Sequence, residues 1–342
     1  MTIYKEALLK ILARNDLTET EAHTLMLEIL NGQLVPEQIA GLLTALVSKG
    51  ESLAEVTGFV KAMREVAVHL KSPQAVVDTC GTGGDGAHTF NISTTAAFVA
   101  AGAGVPVAKH HNRSVSSKCG SADLLEALGV DIQMPLPLVE QSVNELGLGF
   151  CFAPLFHPSM RHAAPARKAL GIRTIFNLLG PMLNPFQARR QVIGVYAPDR
   201  LHFVAELLRD LGSERVVIVH GSDGLDEATL TGSTRIVEVD HGAIKEFELD
   251  PRDLGFGLID GQELVGGDAE ENKAITLAIL SNQRGPRTDI TILNAALALY
   301  VSREGLSLQH AVEAADEAIA SGAALSKLEE LRNLSRESRQ TA

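Results

Sequence analysis

Over residues 1–72 the apolar positions recur at helical spacing. Ala7, Leu8, Ile11 and Leu12 form one stripe. Thr18-x-x-Glu21 is a capping-box pattern ahead of Leu25, Leu27, Ile29 and Leu30, and Gly32 closes that segment. Pro36 suits the first turn of a third helix, with Ile39, Leu42, Leu43 and Leu46 inside and Gly50 at its end. Ser52-x-x-Glu55 opens a fourth, running toward Leu70. Four short helices predict a small bundle whose spare apolar faces suit a dimer contact.

The pattern changes at Pro73. Short apolar runs at 75–78, 105–108, 149–153, 191–196 and 216–220 read as strands, with helical segments between them. Such alternation predicts an α/β domain over 73–342 with a mainly parallel central sheet. Residues 154–190 are an excursion, punctuated by prolines and basic through Arg161, Arg167, Lys168, Arg173, Arg189 and Arg190. They are expected to rejoin the 1–72 helical domain and form the hinge side of a cleft. Two further strands, 235–239 and 243–247, flank a turn at Asp240-His241-Gly242. Helices are expected at 270–280, 290–301, 308–319 and 323–334, followed by a polar, frayed tail over 335–342.

Composition narrows the class. The chain has 342 residues, 45% apolar and 21% charged, enough for a large core and more than one domain. A net charge of −12 disfavours a general nucleic-acid binder, which needs a basic face. Cys80, Cys119 and Cys151 are three, widely spaced and without a C-x-x-C, so free thiols in a reducing compartment are expected. Cys80 beside a glycine-rich loop is read as a packing residue rather than a reactive one. No apolar run reaches membrane-spanning length, and the first six residues lack a basic-then-apolar signal layout, so the expectation is a cytoplasmic protein.

The chemistry concentrates between Asp78 and Leu128. Asp78-Thr79-Cys80-Gly81-Thr82-Gly83-Gly84-Asp85-Gly86 is followed by Thr89-Phe90-Asn91-Ile92-Ser93-Thr94-Thr95. Glycines let the backbone take positive φ and approach a ligand closely. Exposed N–H groups leading into a helix start favour anions. Asn91, Ser93 and Thr94 suit that helix start and add side-chain donors. A basic, hydroxyl-rich loop follows, with Lys109 and Arg113 for charge and Ser114, Ser116, Ser117 and Ser121 for hydrogen bonds. Together these read as a cradle for a ligand with more than one phosphate. Neither usual nucleotide pattern fits. Walker A needs Lys-Ser/Thr where Asp85 and Gly86 stand, and the dinucleotide pattern needs an acid about 20 residues on that is absent.

Three other positions stay open on the residues alone. Asp226-Glu227, after an apolar strand, is either a helix start favoured by the dipole or a pair of hard ligands for Mg²⁺. Arg167 is a solvated helix residue or a planar fork for a carboxylate. His110 is a structural histidine or a general base, with the spacing favouring the first.

Several separated motifs, in order and nearly end to end, resemble the anthranilate phosphoribosyltransferase family. They are Gly81-Thr82-Gly83-Gly84-Asp85, Phe90-Asn91-Ile92-Ser93-Thr94, Lys109-His110-x-Asn112-Arg113, Gly120-Ser121-Ala122-Asp123, Arg167-Lys168-x-Leu170-Gly171-Ile172-Arg173-Thr174-Ile175-Phe176-Asn177 and Gly224-Leu225-Asp226-Glu227. The resemblance implies a nucleoside-phosphorylase-like fold and transfer of phosphoribosyl from phosphoribosyl diphosphate to anthranilate, in tryptophan synthesis, by a Mg²⁺-dependent homodimer. It implies phosphoribosyl-diphosphate contacts at Gly81, Gly84, Asp85, Thr89, Asn91, Ser93, Thr94, Lys109, Asn112, Arg113, Ser117 and Ser121. Gly81, Asn112 and Arg167 fall on the anthranilate side, and Ser93, Asp226 and Glu227 at the metal. No general base is assigned.

His111 stands where the family pattern has glycine, and the expectation is a restricted or tilted loop with binding retained. Two rival readings share the fold. A pyrimidine nucleoside phosphorylase has a related Lys-His loop, but Asp226-Glu227 and the Arg167 region favour the transferase. A non-catalytic nucleic-acid-binding relative would be basic, and this chain is acidic.

Overall fold

The computed structural model describes residues 3–113 and 118–340. It opens with α1 (Ile3–Leu12), α2 (Glu19–Leu30), α3 (Pro36–Lys49) and α4 (Leu53–Glu65). Both capping boxes form. Thr18 Oγ1 accepts from Glu21 N at 3.3 Å while the Glu21 carboxylate accepts from Thr18 N at 2.7 Å. Glu55 does more than cap. Its fully buried carboxylate accepts from Leu17 N at 3.0 Å and from Lys49 Nζ at 2.9 Å, tying the α1–α2 connection to α4. The helix it opens ends at Glu65, short of the expected Leu70.

The remaining elements are β1 (Val77–Asp78), α5 (Ile92–Gly102), β2 (Val107–His111), α6 (Ser121–Ala127), α7 (Leu136–Gln141), β3 (Leu148–Phe152), α8 (Ala153–Phe156), α9 (Ala164–Leu170), α10 (Phe176–Leu179) and β4 (Arg190–Gly194). They continue as α11 (Leu201–Asp210), β5 (Arg215–Gly221), β6 (Thr234–Asp240), β7 (Ala243–Leu249), α12 (Ala269–Leu280), α13 (Pro286–Ser302), α14 (Leu308–Ala320) and α15 (Ala323–Gln340). One seven-stranded sheet has the order β3-β2-β1-β4-β5-β6-β7. The first five strands in that order are parallel, and β5-β6-β7 is antiparallel. His241 and Gly242, both at positive φ, make the tight β6–β7 turn.

Two strand and helix limits differ from expectation for a physical reason. β2 was expected to stop at Ala108 but runs on to His111, because Lys109, His110 and His111 pair with Phe150, Cys151 and Phe152 of β3. Polarity marked them as loop, yet all three are buried. The tail expected to fray from Ser335 is helical to Gln340. Ser335 is buried, and its Oγ accepts from Asp131 N at 2.5 Å, which pins the helix where fraying was expected to begin.

Alternation along the central strands divides the core by face. Val217 and Val219 of β5 join Val77, Val107, Phe150 and Val192 under α5 and α12–α15. Val216 and Ile218 join Ile193, Val195, Val237 and Val239 on the other face. That second core is continuous with α1–α4 and α11, and takes in Ala163, Ala166, Phe176, Leu179 and Leu183 from the 154–190 excursion. No helix among the described residues is long and apolar enough to cross a membrane.

Candidate active site

The chain leaves β1 on one side toward β2 and returns on the other as β4. Loops beyond the carboxyl ends of β1 and β4 therefore diverge, which opens a crevice of the kind where α/β sheets bind ligands. The glycine-rich loop enters that crevice from β1. Thr82 N donates to Gly194 O of β4 at 2.8 Å, and Gly83 N donates to Asp226 Oδ2 at 2.7 Å. Gly81 permits this approach, since a Cβ there would stand 3.0 Å from Asp226 Oδ2 and 3.3 Å from Gly194 O. Gly84, at φ +82°, is covered by Arg173, whose Nη2 donates to the Gly84 carbonyl.

Below the loop lies a buried polar layer. Lys109 Nζ donates to the backbone oxygen of Thr79 and to Thr79 Oγ1. Asp78 accepts from His110 N at 3.1 Å and from Asn184 Nδ2 at 2.7 Å. Burial raises the Asp78 carboxyl to about 6, while Lys109 and these hydrogen bonds oppose the rise. The same Asn184 amide donates to Ala108 O at 2.7 Å, so one side chain joins β1, β2 and the excursion. His110 Nδ1 faces Gly180 O at 3.0 Å. A carbonyl only accepts, so Nδ1 carries the proton and Nε2 is a bare acceptor, buried without a partner. Burial, then His157, pushes His110 down to about 3. Burial thus favours its neutral form.

Asp226 and Glu227 follow β5. Ser93 N donates to Glu227 Oε1 at 3.2 Å, so the start of α5 holds one acid and the glycine loop the other. Their loop is braced from behind. Asp223 accepts from Thr229 Oγ1 and Thr231 Oγ1, each at 2.6 Å, and Asn294 of α13 bonds both N and O of Ala228. Both acids are held above the ordinary carboxylate range. Desolvation is the first cause for each, followed by Asp85 for Asp226 and by Asp226 for Glu227. Lys109 opposes both shifts without cancelling them. Clustered, under-neutralised carboxylates fit a divalent cation. Among the described residues no three or more His, Cys, Asp or Glu side chains form a ready metal cage, and a site of two carboxylates completed by substrate oxygens is what Mg²⁺ usually takes.

The other expected residues fall less centrally. Asn91 precedes α5, but its side chain does not cap the helix as expected. It bonds Cys119 O at 3.2 Å and accepts from Asn272 Nδ2 at 3.0 Å. Thr94 Oγ1 is buried without a hydrogen-bond partner. Thr89 bridges to Val265. Arg113 is exposed and turned to Asp123 and Glu126 of α6, at 2.7 and 2.8 Å. Asn112 Oδ1 accepts from Arg113 N at 2.8 Å, and Ser121 opens α6. Ser117, like Ser114 and Ser116, lies outside the described residues. Arg167 on α9 stacks over Phe176 at 5.1 Å, and burial lowers its pKa. Cys80 is held above the ordinary thiol range by burial, as a packing thiol is.

His111 corrects its expectation. It is the last β2 residue, not a loop residue, and its ring packs against Phe150 and Phe152 at 5.9 and 5.6 Å. Its backbone is not at positive φ, so glycine's freedom is not needed there. The residues that the motifs did not assign are Thr79, Asn184 and Arg173. Arg173 and Asn184 sit in the proline-punctuated excursion, where the Arg167–Asn177 motif includes Arg173 without giving it a role and nothing local marks Asn184.

Two family models cover most of the chain, "Glycosyl transferase family, helical bundle domain" over residues 5–67 and "Glycosyl transferase family, a/b domain" over residues 73–325. The anthranilate phosphoribosyltransferase of Moorella thermoacetica is 51% identical, with 95% of this chain and 96% of that protein covered. The crystal structure of anthranilate phosphoribosyltransferase from Thermus thermophilus matches with a TM-score of 0.91 at 43% identity, covering 96% of this chain and 99% of that one. The Saccharomyces cerevisiae enzyme in complex with phosphoribosyl diphosphate and Mg matches with a TM-score of 0.89 at 29% identity, covering 98% of each chain. A site built from a glycine loop, a buried lysine and an acid pair at the switch point of this fold thus comes with near-complete likeness in sequence and structure, and the chain belongs to the anthranilate phosphoribosyltransferase family.

Proposed function

We propose that this protein transfers the 5-phosphoribosyl group of phosphoribosyl diphosphate to the amine of anthranilate and releases diphosphate, a step of tryptophan synthesis. The carrying observation is the convergence of the glycine loop, the start of α5 and the Asp226-Glu227 pair at one crevice, joined by Gly83 N to Asp226 and Ser93 N to Glu227. Backbone N–H groups of the loop and α5 start receive the diphosphate, with Gly81, Gly84, Asp85, Thr89, Asn91, Ser93, Thr94, Lys109, Asn112, Arg113, Ser117 and Ser121 as its proposed surroundings. Ser93, Asp226 and Glu227 would hold Mg²⁺, which supplies positive charge beside the leaving diphosphate. Gly81, Asn112 and Arg167 take the aromatic acid. A guanidinium that lacks a carboxylate partner among the described residues suits its carboxylate.

In the reaction the C1–O bond to diphosphate breaks and the amine nitrogen bonds to C1. The amine then loses its proton. Anthranilate's amine is neutral near pH 7 and already nucleophilic, so the chain's task is to hold two substrates in line and to stabilise the departing charge. His110 is buried and its basicity is pushed down to about 3, which makes it a weak proton acceptor, in keeping with a reaction that relies on no dedicated base.

The same proposal includes a homodimer through the helical bundle, supported by exposed Leu9 and Leu12 on α1 and Val47 on α3. Sedimentation as a monomer would remove that part. Three free cysteines favour a reducing compartment such as the cytoplasm.

The test is direct. Anthranilate fluorescence should fall when the protein is given phosphoribosyl diphosphate and Mg²⁺, and stay constant when either is left out. Phosphate-dependent cleavage of thymidine with anthranilate untouched would reverse the assignment in favour of a nucleoside phosphorylase.

A further inference from the structure

Arg173 is one of several basic residues in the 154–190 excursion, yet its surroundings differ from those of its neighbours. Its guanidinium donates to the carbonyl of Gly84 and lies 4.0 Å from the Tyr196 ring centroid. Among the described residues Arg189 and Arg190 are paired to Glu214, while Arg173, like Arg167, makes no ion pair and instead turns its guanidinium onto the glycine loop. Its target is equally particular. Gly84 has φ +82°, which favours glycine, and a Cβ there would stand 3.0 Å from Arg173 Nη2, so any other residue would push the guanidinium back.

Tyr196 ties into the same knot. It follows β4, and its N–H donates to Thr82 Oγ1 at 3.3 Å while Thr82 N donates to Gly194 O at 2.8 Å. The glycine loop is thus gripped at Thr82 by the end of β4 and at Gly84 by Arg173, with Tyr196 as the surface on which the guanidinium rests. A planar guanidinium can stack and donate in plane at once, which an ammonium cannot. Arg173 also stands six residues beyond Arg167, across the α9 terminus where Gly171 N donates to Arg167 O at 3.3 Å. The segment that carries Arg167 and the loop that carries the backbone donors are therefore mechanically joined.

We propose that Arg173 is a positioning residue: it fixes the glycine-rich loop in its diphosphate-receiving shape by holding the Gly84 carbonyl, and so links the loop to the segment bearing Arg167. This deepens the functional reading above and rests on it for the identity of the anion. The side chain is exposed, so its removal leaves the core intact.

Hydrogen exchange of the backbone over residues 81–88 tests the proposal on the full-length, ligand-free protein. Arg173→Ala should speed exchange of that segment several-fold while leaving β5 and α13 unchanged. KM for phosphoribosyl diphosphate should rise roughly three- to tenfold, the loss of one partly exposed charge-assisted hydrogen bond, with kcat nearly constant. Arg173→Lys should recover only part of the loss, because it keeps charge but not the stacked fork. Tyr196→Leu should reproduce a weaker form of the Ala result. Unchanged exchange over 81–88 overturns the proposal whatever KM does, since a higher KM alone would mark Arg173 as a direct anion ligand. Faster exchange with KM unmoved overturns it too. Exchange is read without substrate, so it stands apart from the transfer assay, whose failure would sink the proposed reaction instead.

Discussion

At the scale of single residues, the acid pair makes the sharpest claim. Asp226 and Glu227 are held above the ordinary carboxylate range by desolvation, then by Asp85 beside Asp226 and by Asp226 beside Glu227. For an acid whose folded-state pKa is raised, the folded protein keeps protons that the unfolded chain has released, so stability falls as pH climbs past the ordinary carboxylate range. Glu227→Gln should therefore raise the ligand-free Tm at pH 8 by about 2–4 °C and hardly at all near pH 4. The same variant should lose roughly 100-fold or more in kcat/KM with Mg²⁺. An equal Tm change at both pH values would sink the account. His111 makes a contrasting claim. It fills space between Phe150 and Phe152, so His111→Gly should cost about 1–3 kcal/mol in urea unfolding while KM for phosphoribosyl diphosphate moves less than about threefold. A large KM change would return His111 to the binding loop. The acid pair and His111 were unequal in the sequence: the acids stood out as adjacent charges after an apolar strand, whereas the burial of His111 depends on β3, about forty residues away, and no local signal carries it.

At the scale of elements, the legible features were those encoded within one turn of chain. Thr18-x-x-Glu21 and Ser52-x-x-Glu55 do form reciprocal caps, because both partners lie three residues apart. The β6–β7 hairpin was likewise readable from alternation and an Asp-His-Gly turn. The expected β2 stops at Ala108 because Lys109, His110 and His111 look solvated, yet they pair with β3 and are buried. The junction of β4 with the acid loop was invisible for the same reason. Gly194 lies in β4, and a Cβ there would fall 1.5 Å from the backbone oxygen of Asp226. Backbone cannot swing aside as a flexible side chain can. Gly194→Ala should therefore cost about 1–3 kcal/mol and displace Asp226, with kcat/KM falling further than stability alone explains. A thermal midpoint and activity both within error of wild type would refute this close approach.

At the scale of the whole molecule, one sheet organises two cores. The face carrying Val217 and Val219 packs under α5 and α12–α15, and the face carrying Val216 and Ile218 is continuous with the N-terminal helices. The excursion contributes to the second core through Ala163, Phe176 and Leu183, and supplies Asn184 and Arg173 to the crevice. Gathering the site therefore requires four separated pieces of chain: the β1 loop, β2, the excursion and the loop after β5. The amino-acid sequence by itself determined the element types, the mainly parallel α/β class, the glycine loop and the acid pair, because each rests on spacing within a few residues. Only the tertiary structure decided that Gly83 meets Asp226, that Ser93 meets Glu227, that Lys109 lies buried under Thr79, and that Arg173 holds Gly84. Those contacts join positions from 30 to 143 residues apart, through strand order and desolvation, which no local pattern of side chains expresses.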